Sequence, residues 1–202
     1  MPINVQGYFN ALRSYLNTTY YEVTEVDNKR IVLKDKIYPV NSPLPVEQRV
    51  RLVVPSEALV IHLDKKQPRT NSSLPLFHFL DDTAKPWSRR CDFVVFHHYR
   101  NRLSAICIEF KSATLPEGLV DQLKAGEAWC RVLHSIVKLY TTKTKRLHLT
   151  KYVLSCHPNP TPYLDPAGRY LQRDPSIRHY LYDDIDGMSL DALDNTNIES
   201  IN

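Results

Sequence analysis

The sequence predicts an α/β (α+β) protein: a mixed central sheet flanked by helices, with a β-rich extension at the N-terminal end. Three observations carry the prediction. CDFVVF (91–96) and LSAICIEF (103–110) are β-prone runs joined by the polar HHYRNR (97–102), the layout of an antiparallel hairpin. GLVDQLKAGEAWCRVLHSIVKLY (118–140) sets Leu119, Leu123, Gly126, Cys130, Leu133, Val137 and Tyr140 at alternating steps of four and three, the buried stripe of a helix. LTKYVLSC (149–156) is a further strand, and the order strand, strand, helix, strand describes a sheet with helices packed on it.

The remaining elements follow in chain order. VQGYFNALRSYLN (5–17) places Val5, Tyr8, Leu12 and Tyr15 or Leu16 on one face, a short amphipathic helix. YYEVTEV, KRIVLKD and KIYPV are short β-prone runs broken at Asp27-Asn28, a good turn dipeptide. RVRLVV and ALVIHL, separated by Pro55-Ser56-Glu57, are two more strands. QPRTNSSLP (67–75) is the clearest loop, and LFHFL (76–80) is a short apolar segment. The expected organisation is a β-rich region 1–70, a core with a basic segment over 71–182, and an acidic tail 183–202.

The chain of 202 residues is long enough to bury a core, and 43% hydrophobic with 24% charged residues is ordinary for a globular protein. No stretch approaches eighteen uncharged apolar residues, and MPINVQGYFN lacks the layout of a signal peptide. A cytoplasmic location and no membrane partner are therefore expected. Cys91, Cys107, Cys130 and Cys156 contain no C-x-x-C pair and are expected to be buried free thiols, with a zinc site as the alternative. The five glycines form neither a G-x-G-x-x-G nor a G-x-x-x-x-G-K loop, which excludes those phosphate cradles.

Charge is distributed unevenly. Residues 183–202 hold six acids and no Lys or Arg, so residues 1–182 carry +10 against a total of +4. A basic body suits a polyanion, and equally a solvated surface. The tail's composition favours a free segment, while Ile185, Met188 and Leu193, at near-helical spacing, favour docking of part of it.

Chemistry concentrates where the second hairpin strand ends, at Glu109-Phe110-Lys111. Residues two apart on a strand share a face, so Glu109 and Lys111 project together. The hairpin returns that end beside Asp92, at the start of the first strand. Two convergent carboxylates are hard oxygen ligands of the kind Mg2+ takes, and a lysine beside them orients a water or stabilises charge at a phosphate. Glu-x-Lys is weak alone: with eight Glu and twelve Lys in 202 residues, about half of one such triplet is expected by chance. Two rival triplets lack the setting. Asp27-Asn28-Lys29 lies in a turn, and Asp64-Lys65-Lys66 leads into a proline-containing loop. The bland alternative is a strand-start acid and a snorkelling lysine that pairs with Glu109.

Asp92, sixteen residues, then Glu109-Phe110-Lys111 resembles the D…(D/E)-x-K signature of the PD-(D/E)XK, or restriction-endonuclease-like, nuclease superfamily. The similarity spans about residues 76–156 and includes the strand–turn–strand–helix–strand order. Gln122, one turn inside the helix, resembles the helix glutamine of members related to recombination exonucleases. The resemblance implies that Asp92 and Glu109 bind Mg2+ or Mn2+, that Lys111 assists the nucleophilic water and that Gln122 orients the pocket. Cys91 stands in place of the proline of the name. The acid that members often carry on a helix before the first core strand is unassigned, Glu57 and Asp64 lying in runs read as β.

The expected function is a metal-dependent nuclease that hydrolyses phosphodiesters in DNA, within a defence, restriction or recombination system. Its alternative is a catalytically silent subunit of the same fold that binds nucleic acid or assembles a complex, and a protein partner or homo-oligomer is open beside either. A structural protein with a fortuitous Glu-x-Lys is the third reading. Lys85, Arg89 and Arg90, with Lys143, Lys145 and Arg146, are candidate phosphate contacts or solvated loop charges. His97 and His98 are read as an exposed hairpin tip, and Trp129 and Tyr140 as helix core.

Overall fold

The structure is a computed structural model that describes residues 5–17, 26–27, 29–39, 43–66, 75, 88–99, 102–112, 114–141 and 146–202. Helix α1 (Val5–Tyr15) precedes a three-stranded antiparallel sheet, β1 (Val26–Asp27), β2 (Arg30–Ile37) and β3 (Val46–Val53). A seven-stranded sheet is built from β4 (Ala58–His62), β5 (Phe93–Tyr99), β6 (Arg102–Lys111), β7 (Leu147–Ser155), β8 (Tyr170–Leu171), β9 (Asp174–Leu181) and β10 (Glu199–Ile201). Helix α2 (Gly118–Leu139) connects β6 to β7.

Strands β4, β5 and β6 form an antiparallel meander. The α2 crossover then makes β6 and β7 parallel, as a connection of that length and kind permits. Strand β7 pairs parallel with β9 over Lys151–Ser155 and antiparallel with β10 over Leu147–Leu149, so two segments share one edge. The sheet is therefore mixed, as the sequence predicts. Among the described residues no helix is long and apolar enough to cross a membrane.

Three layers result. Alternate residues of the central strands face opposite ways, and both faces are covered, which explains the nearly continuous apolar run of β6. Val94, Phe96, Leu103, Ala105, Cys107, Leu149 and Val153 pack against Phe9 and Leu12 of α1 and the predicted α2 stripe Leu119, Leu123, Cys130, Leu133 and Val137. On the other face Phe93, Val95, Ile106, Ile108, Phe110 and Leu154 pack against Ile31, Leu33, Val50 and Leu52 of the small sheet. The boundary between sheets thus falls between β3 and β4, because β4 joins the central sheet.

Several expectations change. KRIVLKD and KIYPV, read as separate runs, are largely one strand, β2. Strand β5 continues to Tyr99, so His97 and His98 are strand residues and His97, opposite Ser104, is buried. Trp129 is core, but Tyr140 ends the α2 stripe exposed, its ring 6.0 Å from that of Tyr15. Cys91, Cys107 and Cys130 are buried together, while Cys156 is exposed just past β7. LFHFL and all but Pro75 of the 67–75 loop lie outside the described residues.

Residues 183–202 are packed into the fold. Ile185, Leu190 and Ile201 are buried, and Met188 and Leu193 pack against the same cluster as Ile185 and Leu190. Gly187, at φ 84°, donates its N–H to the Arg51 carbonyl at 2.7 Å, and Val53 N–H donates to the Met188 carbonyl at 2.8 Å. An L-residue with a Cβ is strained at that φ, so glycine allows this turn. Several tail acids are matched to body cations: Asp186 pairs with Arg51 at 2.8 Å, and Glu199 with Arg131. The segment straps the small sheet to the central one.

Candidate functional site

The β5–β6 register places the predicted residues. Phe93 lies opposite Ile108, so one step outward brings Asp92 opposite Glu109. The two are cross-linked through their backbones: Asp92 N–H donates to Glu109 Oε2 at 3.1 Å, and Phe110 N–H donates to Asp92 Oδ2 at 2.6 Å. Lys111 Nζ pairs with Glu109 Oε1. Three of the four residues expected at the site therefore meet at one end of the sheet.

Neighbouring elements hold this end. Leu63 N–H donates to the Asp92 carbonyl at 2.9 Å, and the Tyr182 hydroxyl donates to the Lys111 carbonyl at 2.9 Å. Gln122 does not reach the carboxylates: its Nε2 donates to the Arg90 carbonyl at 3.1 Å, two residues before Asp92. Gly126 permits the close approach of α2, since a Cβ there would collide with Cys91 Sγ. Arg89 pairs with Asp121 of α2, and Arg146 donates to Asn202, while Lys85, Lys143 and Lys145 lie outside the described residues.

The electrostatics are those of a site short of cations. Asp92 is 7% exposed and Glu109 1% exposed. Burial pushes the Asp92 carboxyl well above the usual range, and the charges of Glu109 and Asp35 add to the effect. Burial also raises Glu109, although Lys111 works against it. Removing two carboxylates from water while holding them side by side disfavours the doubly ionised state, and a bound cation relieves both costs.

Asp35 is the member that sequence reading misses. It occupies the inward row Ile31, Leu33, Asp35, Ile37 of β2, where an apolar residue is expected, and its charge reaches Asp92, Glu109 and Lys111. The available signal is that one acid on an otherwise apolar alternation. Asp64, which follows β4, lies close enough to raise Asp35 further. Glu57, by contrast, pairs with Arg13 of α1. A second missed feature is Ser155 Oγ hydrogen-bonded to His179 Nε2 at 2.8 Å, both buried, with Ser155 directly across from Lys111. Burial lowers His179 to about 4, so this imidazole is neutral at pH 7.

The donor set of hard carboxylate oxygens fits Mg2+ or Mn2+. Among the described residues no three His, Cys, Asp or Glu side chains are placed to hold a metal ion by themselves. Mg2+ tolerates that, because it is commonly held by one or two carboxylates plus water and substrate phosphate. The chain matches no protein-family model, no curated protein and no solved structure.

Proposed function

We propose that the chain is a metal-dependent nuclease of PD-(D/E)XK type on a restriction-endonuclease-like core, acting on phosphodiester bonds in DNA. The observation that carries this reading is the convergence of Asp92, Glu109 and Lys111 on one sheet end, with both carboxylates buried. A buried acid pair costs stability, and such a cost is expected where the acids have a cation to bind.

In this reading Asp92 and Glu109 hold the Mg2+ or Mn2+. When bound, the cation supplies Lewis-acid stabilisation of phosphate charge and a more acidic water. Lys111, held by Glu109 and half-buried, places an ammonium where a water attacks phosphorus and where negative charge grows on the phosphate oxygens. Hydrolysis joins the water oxygen to phosphorus, breaks one P–O ester bond and leaves the departing oxygen protonated. Gln122 is a positioning residue, since it fixes the Arg90 carbonyl and with it the chain entering Asp92.

The alternative, a silent subunit of the same fold, is favoured by one observation, the lack of a third side-chain ligand among the described residues. Incubation with linear, circular and single-stranded DNA and with RNA, in Mg2+ or Mn2+, separates the two. The nuclease reading expects cleavage that EDTA abolishes; binding without cleavage in either metal supports the silent subunit.

A further inference from the structure

The small sheet has an outward face that the core does not use. Inward positions of β2 and β3 are Ile31, Leu33, Asp35 and Ile37, against Val50 and Leu52. The register pairs the outward positions Arg30 with Val53, Val32 with Arg51, Lys34 with Arg49 and Lys36 with Glu47. Five of those eight positions are cations. Glu47 pairs with Arg49 at 2.6 Å and Asp186 with Arg51 at 2.8 Å, so five cations face two acids among these described residues.

The arrangement gathers cations. Lys34 and Arg49 lie directly across from one another, and like charges at directly opposed positions of an antiparallel pair destabilise it. Glu47 offsets part of that repulsion through Arg49, and a bound polyanion offsets more.

The face also leads somewhere. Lys34 and Lys36 border a cleft of about 740 Å3 whose walls include Tyr38, His62 and Lys66 and whose acids include Asp35 and Asp64. The Asp35 charge reaches Asp92 and Glu109, and the His62 ring stacks on Phe93, the residue after Asp92, at 4.6 Å. The cleft thus borders the candidate site. Tyr38 is 60% exposed at its wall. An exposed aromatic beside a cationic track is the combination that binds unpaired nucleotides: cations follow the phosphates while a base stacks on the ring. A duplex keeps its bases stacked on one another and does not offer one to Tyr38. The observations therefore favour a single strand.

We propose that the outward β2–β3 face, through Arg30, Lys34, Lys36, Arg49 and Arg51, and Tyr38 in the adjoining cleft form a track for single-stranded nucleic acid. The track delivers the strand to Asp92 and Glu109. The proposal rests on the nuclease reading for its destination, and binding tests it separately from cleavage.

The experiment is fluorescence anisotropy of a labelled single-stranded oligonucleotide on the full chain in EDTA, across a salt series. The Arg30→Gln/Lys36→Gln/Arg49→Gln variant is compared with Arg102→Gln/Lys124→Gln/Lys138→Gln, which removes the same charge elsewhere. With about 0.7 counterions released per phosphate contact, the first variant lowers the slope of log K against log salt by about 2. It weakens binding by up to about 100-fold near 0.1 M salt on the same basis. Tyr38→Ala weakens binding roughly tenfold without changing the slope, as loss of one stacked base requires. Equal losses in the two triple variants overturn the track. Duplex binding as tight as single-strand binding and insensitive to Tyr38→Ala overturns the single-strand assignment. Anionic phosphatidylserine vesicles are the last arm: if the first triple variant loses vesicles and keeps the oligonucleotide, the face is a membrane surface and the proposal fails. Cleavage in Mn2+ is measured alongside. Cleavage with unaltered variant binding sinks the track alone, whereas wild-type binding without cleavage sinks the nuclease reading and leaves the track standing.

Discussion

Replacing Asp92 by Asn should make the metal-free protein more stable at neutral pH while removing its metal response. Asp92 is buried beside Glu109, and its carboxyl is held well above its ordinary value by burial first, then by Glu109 and Asp35. An acid whose folded value is raised contributes stability that is present below its unfolded value and is lost as pH rises through the folded value. At neutral pH and above, the wild type carries that loss. The asparagine side-chain oxygen can still accept the Phe110 N–H bond, so the hydrogen bond survives and the charge disappears. Side chains directly opposed across antiparallel strands have Cβ atoms about 5 Å apart. Two carboxylate charges at roughly that separation, in an effective dielectric of about 20, repel by about 3 kcal/mol. Lys111 beside Glu109 offsets part of this, which leaves a stabilisation of about 1–3 kcal/mol. The corresponding Tm rise is roughly 2–12 °C for a chain of this size. Thermal melts in EDTA at pH 7.5 and pH 4.5 check it, because the raised carboxyl takes up its proton as pH falls and the difference should shrink. In Mn2+ at about 100 times its Kd, the wild type should gain roughly 2.7 kcal/mol and Asp92→Asn much less. A variant destabilised equally at both pH values would refute the reasoning, since Asp92 would then be a structural acid.

Three further outcomes are expected. Lys111→Ala abolishes cleavage with DNA affinity changed less than threefold or so, because the lysine is assigned to the chemical step; single-turnover kinetics beside anisotropy separate the two. Deleting residues 183–202 removes the burial of Ile185, Leu190 and Ile201, about 1.5–3 kcal/mol each, which approaches a typical domain's whole stability; calorimetry should find no cooperative transition. A truncated chain that melts like the full one would show the tail to be dispensable. His97→Asn flattens the loss of stability between pH 6.5 and about 4, because burial lowers the imidazole to about 4 and the unfolded chain binds that proton first; urea melts across this window measure the slope.

The hairpin site was legible because its information is local. Asp92 immediately precedes β5, and Glu109 and Lys111 lie on β6, the next strand in the chain and its antiparallel partner, so strand alternation places them without knowledge of the rest of the sheet. The α2 stripe was legible for the same reason, except at Tyr140, which follows the last helical residue and is exposed. Asp35 was not legible, because its approach to Asp92 depends on how a separate sheet packs on the central one. Strand β9 pairs parallel with β7, a long-range contact with no hairpin signal, and its Asp174-Pro175 start conceals it. His97 was misread because polarity suggested a turn, whereas the strand continues through it. The tail's acids suggested solvation, yet a few well-spaced apolar residues and matched cations dock it.

The central claim is that Asp92 and Glu109 share a divalent cation. Crystals soaked in Mn2+ and measured near the manganese absorption edge test it most directly, since anomalous scattering locates the ion without assumptions about activity. The account predicts a peak within about 2.5 Å of carboxylate oxygens of both residues, with remaining ligands from water, and loss of that peak in Asp92→Asn. A well-ordered site with no peak between the two carboxylates, or Mn2+ bound only elsewhere, would contradict it.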